Sequence, residues 1–211
     1  MNQGLDIIFQ VTILMFSVIV HEISHGYAAL ALGDRTAKYA GRLTLNPLSH
    51  IDLFGSIILP VISFATGGFI FGWAKPVPYN PYNLRNQKWG SAIVGAAGPL
   101  SNLLIAFLFG MFIRVAPYFF SESAQFLTNL ISIASFIVFL NVLLAIFNLL
   151  PIPPLDGSKV LFAMLPYQFR YIQEFLEQYG FVILIFFIFF LFRLLHPFIQ
   201  VIFSIFTGIG F

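Results

Sequence analysis

The sequence predicts an all-α polytopic membrane protein. It should have about five to six membrane segments, with a short extended or β membrane-associated element between the first span and the Gly98-Pro99-Leu100-Ser101-Asn102 span. Three observations carry this. Of 211 residues, 59% are apolar and only 9% charged, where soluble domains carry about 25% charged residues. The apolar runs are long and lack the period-two alternation of an outer-membrane barrel, so the backbone must satisfy itself within helices. The ionisable residues that do enter an apolar run are concentrated in His21-Glu22-Ile23-Ser24-His25. Such groups cost roughly 2.5–3.5 kcal/mol each at the bilayer centre and mark function by default.

Taken in order, the first span covers about Leu5 to Leu32 and ends at the turn signal Gly33-Asp34. Its leading residues, Met1 to Asp6, contain no Lys or Arg, so the run is expected to stay in the mature protein and not to act as a signal peptide. Leu43-Thr44-Leu45-Asn46-Pro47 alternates and then closes on Asn-Pro, which reads as a short strand and turn. Ile51 to Phe71 is apolar but interrupted at Gly55, Pro60 and Gly67-Gly68. Trp73 to Pro81 carries closely spaced prolines that forbid a helix and favour an extended path. Ser91 to about Phe120 and Phe126 to Leu150 are cleaner spans. The second breaks at Pro151-Ile152-Pro153-Pro154-Leu155-Asp156-Gly157, where Asp156 is placed to cap a short segment ending near Leu165-Pro166. A polar connection from Gln168 to Gln178 leads to a final membrane segment, about 179–211, with a kink expected near His196-Pro197. The whole is expected to form one membrane domain over 1–211, with its core at about 5–165 and no soluble accessory module.

The spacing in HEISH has a chemical meaning. Helix positions four apart share a face, so His21 and His25 can offer two imidazole nitrogens to one ion. Glu22, turned by about 100°, can reach a water on that ion. A single histidine in an apolar helix is usually a hydrogen-bonded packing residue; this pair with its glutamate, inside a span, points to Zn2+, one per chain. Zinc catalysis wants three protein ligands and an open position. The chain contains no cysteine, so the third ligand must be His, Asp or Glu. Asp156, His50, Asp52 and His196 are the candidates. Asp156 is favoured because irregular backbone at membrane depth is tolerated only where it is buried or lines a cavity; its plain reading is a helix cap. His50 and His196 read as hydrogen-bonded structural residues.

These motifs resemble the site-2 protease family of intramembrane zinc metalloproteases. HEISH in one membrane helix, GPLSN in a later one and NLLPIPPLDG at the end of another occur in that order. AGRLTLNPLSHID and FGWAKPVPYNP are similar to its compact bacterial and archaeal branch, which lacks a PDZ or other accessory domain. The resemblance covers about residues 15–160. It implies His21, His25 and Asp156 as zinc ligands and Glu22 as general base. It implies that Asn148 orients the substrate, with Asn102 and Asn141 as further candidates for lining the cleft. The implied activity is hydrolysis of peptide bonds within or near transmembrane segments, so the partners are transmembrane protein substrates and the lipid bilayer. The net charge of +2 and scattered basic residues give no reason to expect nucleic acid.

A substrate helix has its carbonyls tied up and must unwind before cleavage. Leu43–Leu45 or Trp73–Tyr79 would then capture it by strand addition. Zinc binding also constrains topology, because both ligand-bearing helix ends must reach one depth. Either 51–71 is re-entrant or 72–88 threads back. Arg35, Lys38, Arg42, Lys75, Arg85, Lys88, Lys159 and Arg170 then share one side, while the 119–125 connection has Glu122 and no Lys or Arg. The positive-inside rule makes the shared side cytoplasmic and sets the active site nearer to it, in a multi-pass protein of the cell membrane.

The rival class is a transporter or channel using buried His and Glu as a proton or ion relay. No repeat of two halves supports it, and a relay has no need of HExxH. A prenyl-protein protease or an iron desaturase is a second alternative, but a desaturase needs several histidine clusters and the chain has 4 histidines. A catalytically dead scaffold does not suit intact His21, Glu22, His25 and Asp156.

Overall fold

The protein is described from a computed structural model that covers residues 3–58, 62, 74–119 and 124–210. The chain divides into two compact units, Met1–Gly90 and Ser91–Phe211. Among the described residues the regular structure is helical, and three helices are long and apolar enough to cross a membrane: Ile8–Ala31, Gly90–Phe119 and Gln125–Asn148.

In the first unit, α1 runs from Gln3 to Ala31. Its sidedness is inverted relative to a soluble helix. Ile8, Phe9, Val11, Leu14 and Phe16 are exposed, whereas Ser17, His21 and His25 are buried, the arrangement expected when the surroundings are hydrocarbon. The helix stops at Gly33, whose φ of 108° is open to glycine and costly for other residues. Asp34 N–H then bonds back to Ala29 O at 2.9 Å. A short α2, Thr36–Tyr39, follows, then a 3-10 turn at Pro47–His50 whose N-cap Asn46 accepts from Leu48 N–H. Leu53–Ile58 forms a turn of π-helix.

Leu43–Leu45 forms no strand, and 74–80 is irregular extended chain without a ladder. The physical reason lies in where the backbone groups go. Thr44 O bonds His50 Nε2, Lys75 N–H donates to His50 O, and the Lys75 carbonyl accepts from Arg42 Nη2. With these groups committed to isolated contacts, and with Pro76 and Pro78 lacking N–H groups, no repeating pairing develops. The interruptions expected at Pro60 and Gly67-Gly68, the position of Trp73 and the connection bearing Glu122 lie outside the described residues.

In the second unit, α3 (Gly90–Phe119) and α4 (Ala124–Asn148) are followed by α5 (Gly157–Met164) and α6 (Arg170–Thr207). Val138, Val142 and Ala134 of α4 pack with Ala106 and Ile113 of α3 and with Leu195, Ile199 and Phe203 of α6. Gly110 allows the close α3–α6 approach, since a Cβ there would lie 2.8 Å from Phe206 Cβ. Arg114, a cation within an apolar helix, is accommodated by donating Nε to Phe206 O and Nη2 to Ile205 O. It thus serves the carbonyls left open at the end of α6. Two boundaries differ from expectation. The polar stretch after Gln168 belongs to α6, supported by Arg170–Glu174 at 3.5 Å and Gln173–Glu177 at 2.8 Å, pairs of the i,i+4 kind that stabilise a helix. The same helix contains Pro197 in its interior and continues to Thr207.

Candidate metal centre and general base

His21 and His25 lie one turn apart on the buried side of α1, at 6% and 7% exposure. Their ring centroids are 4.7 Å apart and the rings are edge-to-face, with an interplanar angle of 87°. Two imidazoles so placed give a nitrogen donor pair of the kind that suits Zn2+. Gly26, immediately after the pair, lets the chain pack closely over it. A Cβ there would stand 2.5 Å from Leu43 Cδ2 and 2.9 Å from Val77 Cγ1.

Glu22 is half-buried, and its Oε2 accepts the Val77 N–H at 2.8 Å. The extended 74–80 segment is therefore laid directly against the carboxylate expected to act as base. Sequence reading did not anticipate this contact. The only hint lay in the flanking prolines, which leave Val77 as the sole N–H between positions 76 and 78. Asp34 is also a residue that the motif reading passed over as part of a turn. It is fully buried, and its carboxylate accepts from Thr36 N–H, Thr36 Oγ1, Asn83 Nδ2 and Asn80 N–H at 2.6–3.1 Å. Burial alone would raise its pKa; the hydrogen bonds from Thr36, Asn83 and Asn80 outweigh that and hold it below the ordinary 3.8.

In the second unit, Asp156 is buried at the start of α5. It occupies the N-cap position but makes no side-chain capping bond. Instead Oδ1 pairs with Lys159 Nζ at 2.8 Å. Capping therefore does not account for this aspartate. Its neighbour Gly157 is sterically required: a Cβ would fall 2.1 Å from Leu149 O. Gly95 of α3 makes room on the other side, where a Cβ would meet Asp156 O and the Lys159 stem at 3.0 Å. Pro99, four residues on, removes the N–H that would otherwise close on the Gly95 carbonyl.

The three asparagines differ. Asn102 and Asn141 are fully buried, and Asn102 Nδ2 donates to Asn141 Oδ1 at 2.8 Å, while Asn141 Nδ2 donates to Ile137 O at 2.9 Å. Asn148 is half-buried at the end of α4 and donates Nδ2 to Leu144 O at 2.9 Å. Of the alternative third ligands, His50 bonds Thr44 O through Nε2 at 2.8 Å, and Asp52 Oδ1 accepts Gly55 N–H at 2.7 Å.

Comparison with known proteins agrees with this chemistry. Residues 9–191 match peptidase family M50. YwhC of Bacillus subtilis, named by inference a zinc metalloprotease, is 39% identical over 176 residues, covering 83% of this chain and 77% of that one. Rip2 of Mycolicibacterium smegmatis, named in the same way, is 32% identical over 171 residues, 81% of this chain and 62% of its own length. The zinc metalloprotease MJ0392 of Methanocaldococcus jannaschii is 24% identical over 162 residues, 77% of this chain and 36% of that one. No solved structure matches the chain. With a paired-histidine helix, a glutamate beside it and a match spanning most of its length, the chain belongs to peptidase family M50, the site-2 protease family of zinc metalloproteases.

Proposed function

We propose that the protein cuts peptide bonds within or near transmembrane segments of other membrane proteins, using one Zn2+ held by His21, His25 and Asp156. The observation that carries the reading is the buried His21–His25 pair on α1 with Glu22 beside it. Each of the three proposed ligands is buried and offers one donor atom, two imidazole nitrogens and a carboxylate oxygen. Bound zinc supplies a Lewis acid and a water whose pKa is brought towards neutrality.

The residues then divide the remaining work. Glu22 takes the proton from the attacking water and returns it to the leaving amine. Val77 N–H fixes one oxygen of that carboxylate, so the other is presented in a constant orientation. Asn148 is assigned to the substrate: its amide has two N–H groups and one already serves Leu144, leaving a donor for the developing oxyanion. Asn102 and Asn141 bond each other in the interior and are assigned to holding α3 and α4 together. The exposed side chains of α1 and of the other apolar helices face lipid. Five to six membrane segments in one domain of the cell membrane, with the active site nearer the cytoplasm, remain the arrangement favoured by the basic residues at 35–42, 75–88 and 159–170.

The test measures zinc content and cleavage of a transmembrane peptide together on the purified protein and its Glu22→Gln variant. Zinc retained and cleavage abolished is expected. Loss of both in a folded variant moves Glu22 into the coordination shell and overturns the assignment.

A further inference from the structure

We propose that Asp34 is a positioning residue for Glu22, acting through the segment 74–83, extended over 74–80 and closed by a 3-10 turn at Pro81–Asn83. The proposal rests on the reading of Glu22 as the base, and deepens it by naming what keeps that base oriented.

The geometry is a chain of contacts within the first unit. Asp34 sits just beyond the end of α1, which also carries Glu22. Its Oδ2 accepts Asn80 N–H at 2.7 Å and its Oδ1 accepts Asn83 Nδ2 at 2.9 Å, across 46 and 49 residues of sequence. Arg85 N–H donates to Leu32 O at 2.9 Å, tying the same segment to the same helix end. Three residues before Asn80, Val77 N–H reaches Glu22 Oε2 at 2.8 Å. Both ends of the stretch from Val77 to Asn83 are thus fixed to carboxylates of one helix region.

Between these anchors regular structure is limited to the 3-10 turn at Pro81–Asn83, capped by Asn80. The stretch makes no ladder, and Pro78 has no N–H to contribute. The Val77 end is also held through Lys75 and Arg42; at the Asn80–Asn83 end Asp34 supplies two of the contacts. A turn carboxylate serving only its own loop would have been satisfied by Thr36, which already gives two bonds at 3.1 and 2.6 Å. The bonds to Asn80 and Asn83 go beyond that local need. They also explain complete burial of a carboxylate at a helix end, since four donors compensate its desolvation. When they are lost, the segment slides, Val77 N–H leaves Oε2, and the Glu22 carboxylate is free to rotate away from the water it must deprotonate.

Amide exchange at Val77 and steady-state cleavage are measured on the full chain in micelles, for wild type, Asp34→Ala, Asp34→Asn and Asn83→Ala. Asp34→Ala is expected to speed Val77 exchange and to lower kcat roughly 10- to 100-fold, the scale of a displacement of about 1 Å at a reacting group. KM should stay within about twofold and zinc content should not change, since a fall in kcat alone marks an interaction realised in the transition state. Asp34→Asn keeps one acceptor oxygen and falls between Ala and wild type. Asn83→Ala removes a single contact from an exposed side chain, so it reads the same effect in smaller measure should Asp34→Ala fail to fold. Faster Val77 exchange with wild-type kcat, or reduced kcat with Val77 still protected, overturns the proposal, as does a change confined to KM. If the wild type neither binds zinc nor cleaves, the protease reading fails; Val77 exchange in the variants still decides whether Asp34 holds the segment.

Discussion

The Val77 N–H donates to Glu22 Oε2 at 2.8 Å across 55 residues of sequence. A backbone donor is a stable way to orient a general base, because no side-chain rotamer has to be fixed at the donor end. It also limits how 74–80 can read a substrate. Lys75, Val77 and Asn80 turn their N–H groups towards the protein, and Pro76 and Pro78 have none. Those three N–H groups are therefore not offered to an added strand.

Asp156→Ala is expected to lose zinc as well as activity, because a structural capping role is absent and the carboxylate is the remaining buried oxygen donor assigned to the metal. Zinc titration against a chromogenic chelator checks this. Wild-type affinity in the variant would redirect the third-ligand assignment to His50 or Asp52.

Asn148 and the Asn102–Asn141 pair should separate experimentally. Asn148→Ala should lower turnover by roughly 10²–10³-fold with zinc retained, the effect of one lost oxyanion donor. Asn102→Ala should instead cost stability, about 0.5–2 kcal/mol for an interhelical hydrogen bond in a membrane protein, with the remaining turnover per folded molecule near wild type. Denaturation in mixed micelles alongside kcat distinguishes the two patterns.

The basic loop positions should share one side of the membrane. Since the chain has no cysteine, single substitutions at the exposed residues Lys38 and Lys88 report accessibility directly to an impermeant thiol reagent in sealed vesicles of known orientation. Both are expected to label from the cytoplasmic face. Labelling from opposite faces would overturn the proposed topology, in which His21, His25 and Asp156 share one depth.

Asp34 predicts a pH dependence of stability with a definite sign. Its folded pKa lies below the ordinary 3.8, so the ionised form is the one the fold stabilises. That contribution is complete above 3.8 and is lost only as pH falls through the lower folded value. The stability gap between wild type and Asp34→Asn should therefore be constant from neutral pH down to about pH 5, and close only below about pH 4. A gap that closes near pH 6 would mean another group is responsible.

The sequence by itself determined the membrane class, the paired histidines with a glutamate between them, and the breaks that end α1 and α4. Each of these follows from local rules: composition excludes a soluble surface, helix periodicity brings positions 21 and 25 to one face, and the Gly33-Asp34 turn signal and the closely spaced prolines at 151–154 disfavour continuing a helix. It misread Leu43–Leu45 as a strand, because alternation records which side chains suit a pleated surface and says nothing of whether a partner strand exists. It likewise expected a helix cap at Asp156, where a lysine one turn on takes the carboxylate instead. Only the tertiary structure decided that Val77 faces Glu22, that Asp34 gathers Asn80 and Asn83, and that Gly95 clears space for the turn at Asp156. Those contacts join residues dozens of positions apart. Their partners are set by how the chain packs, and no periodicity or motif spacing encodes that.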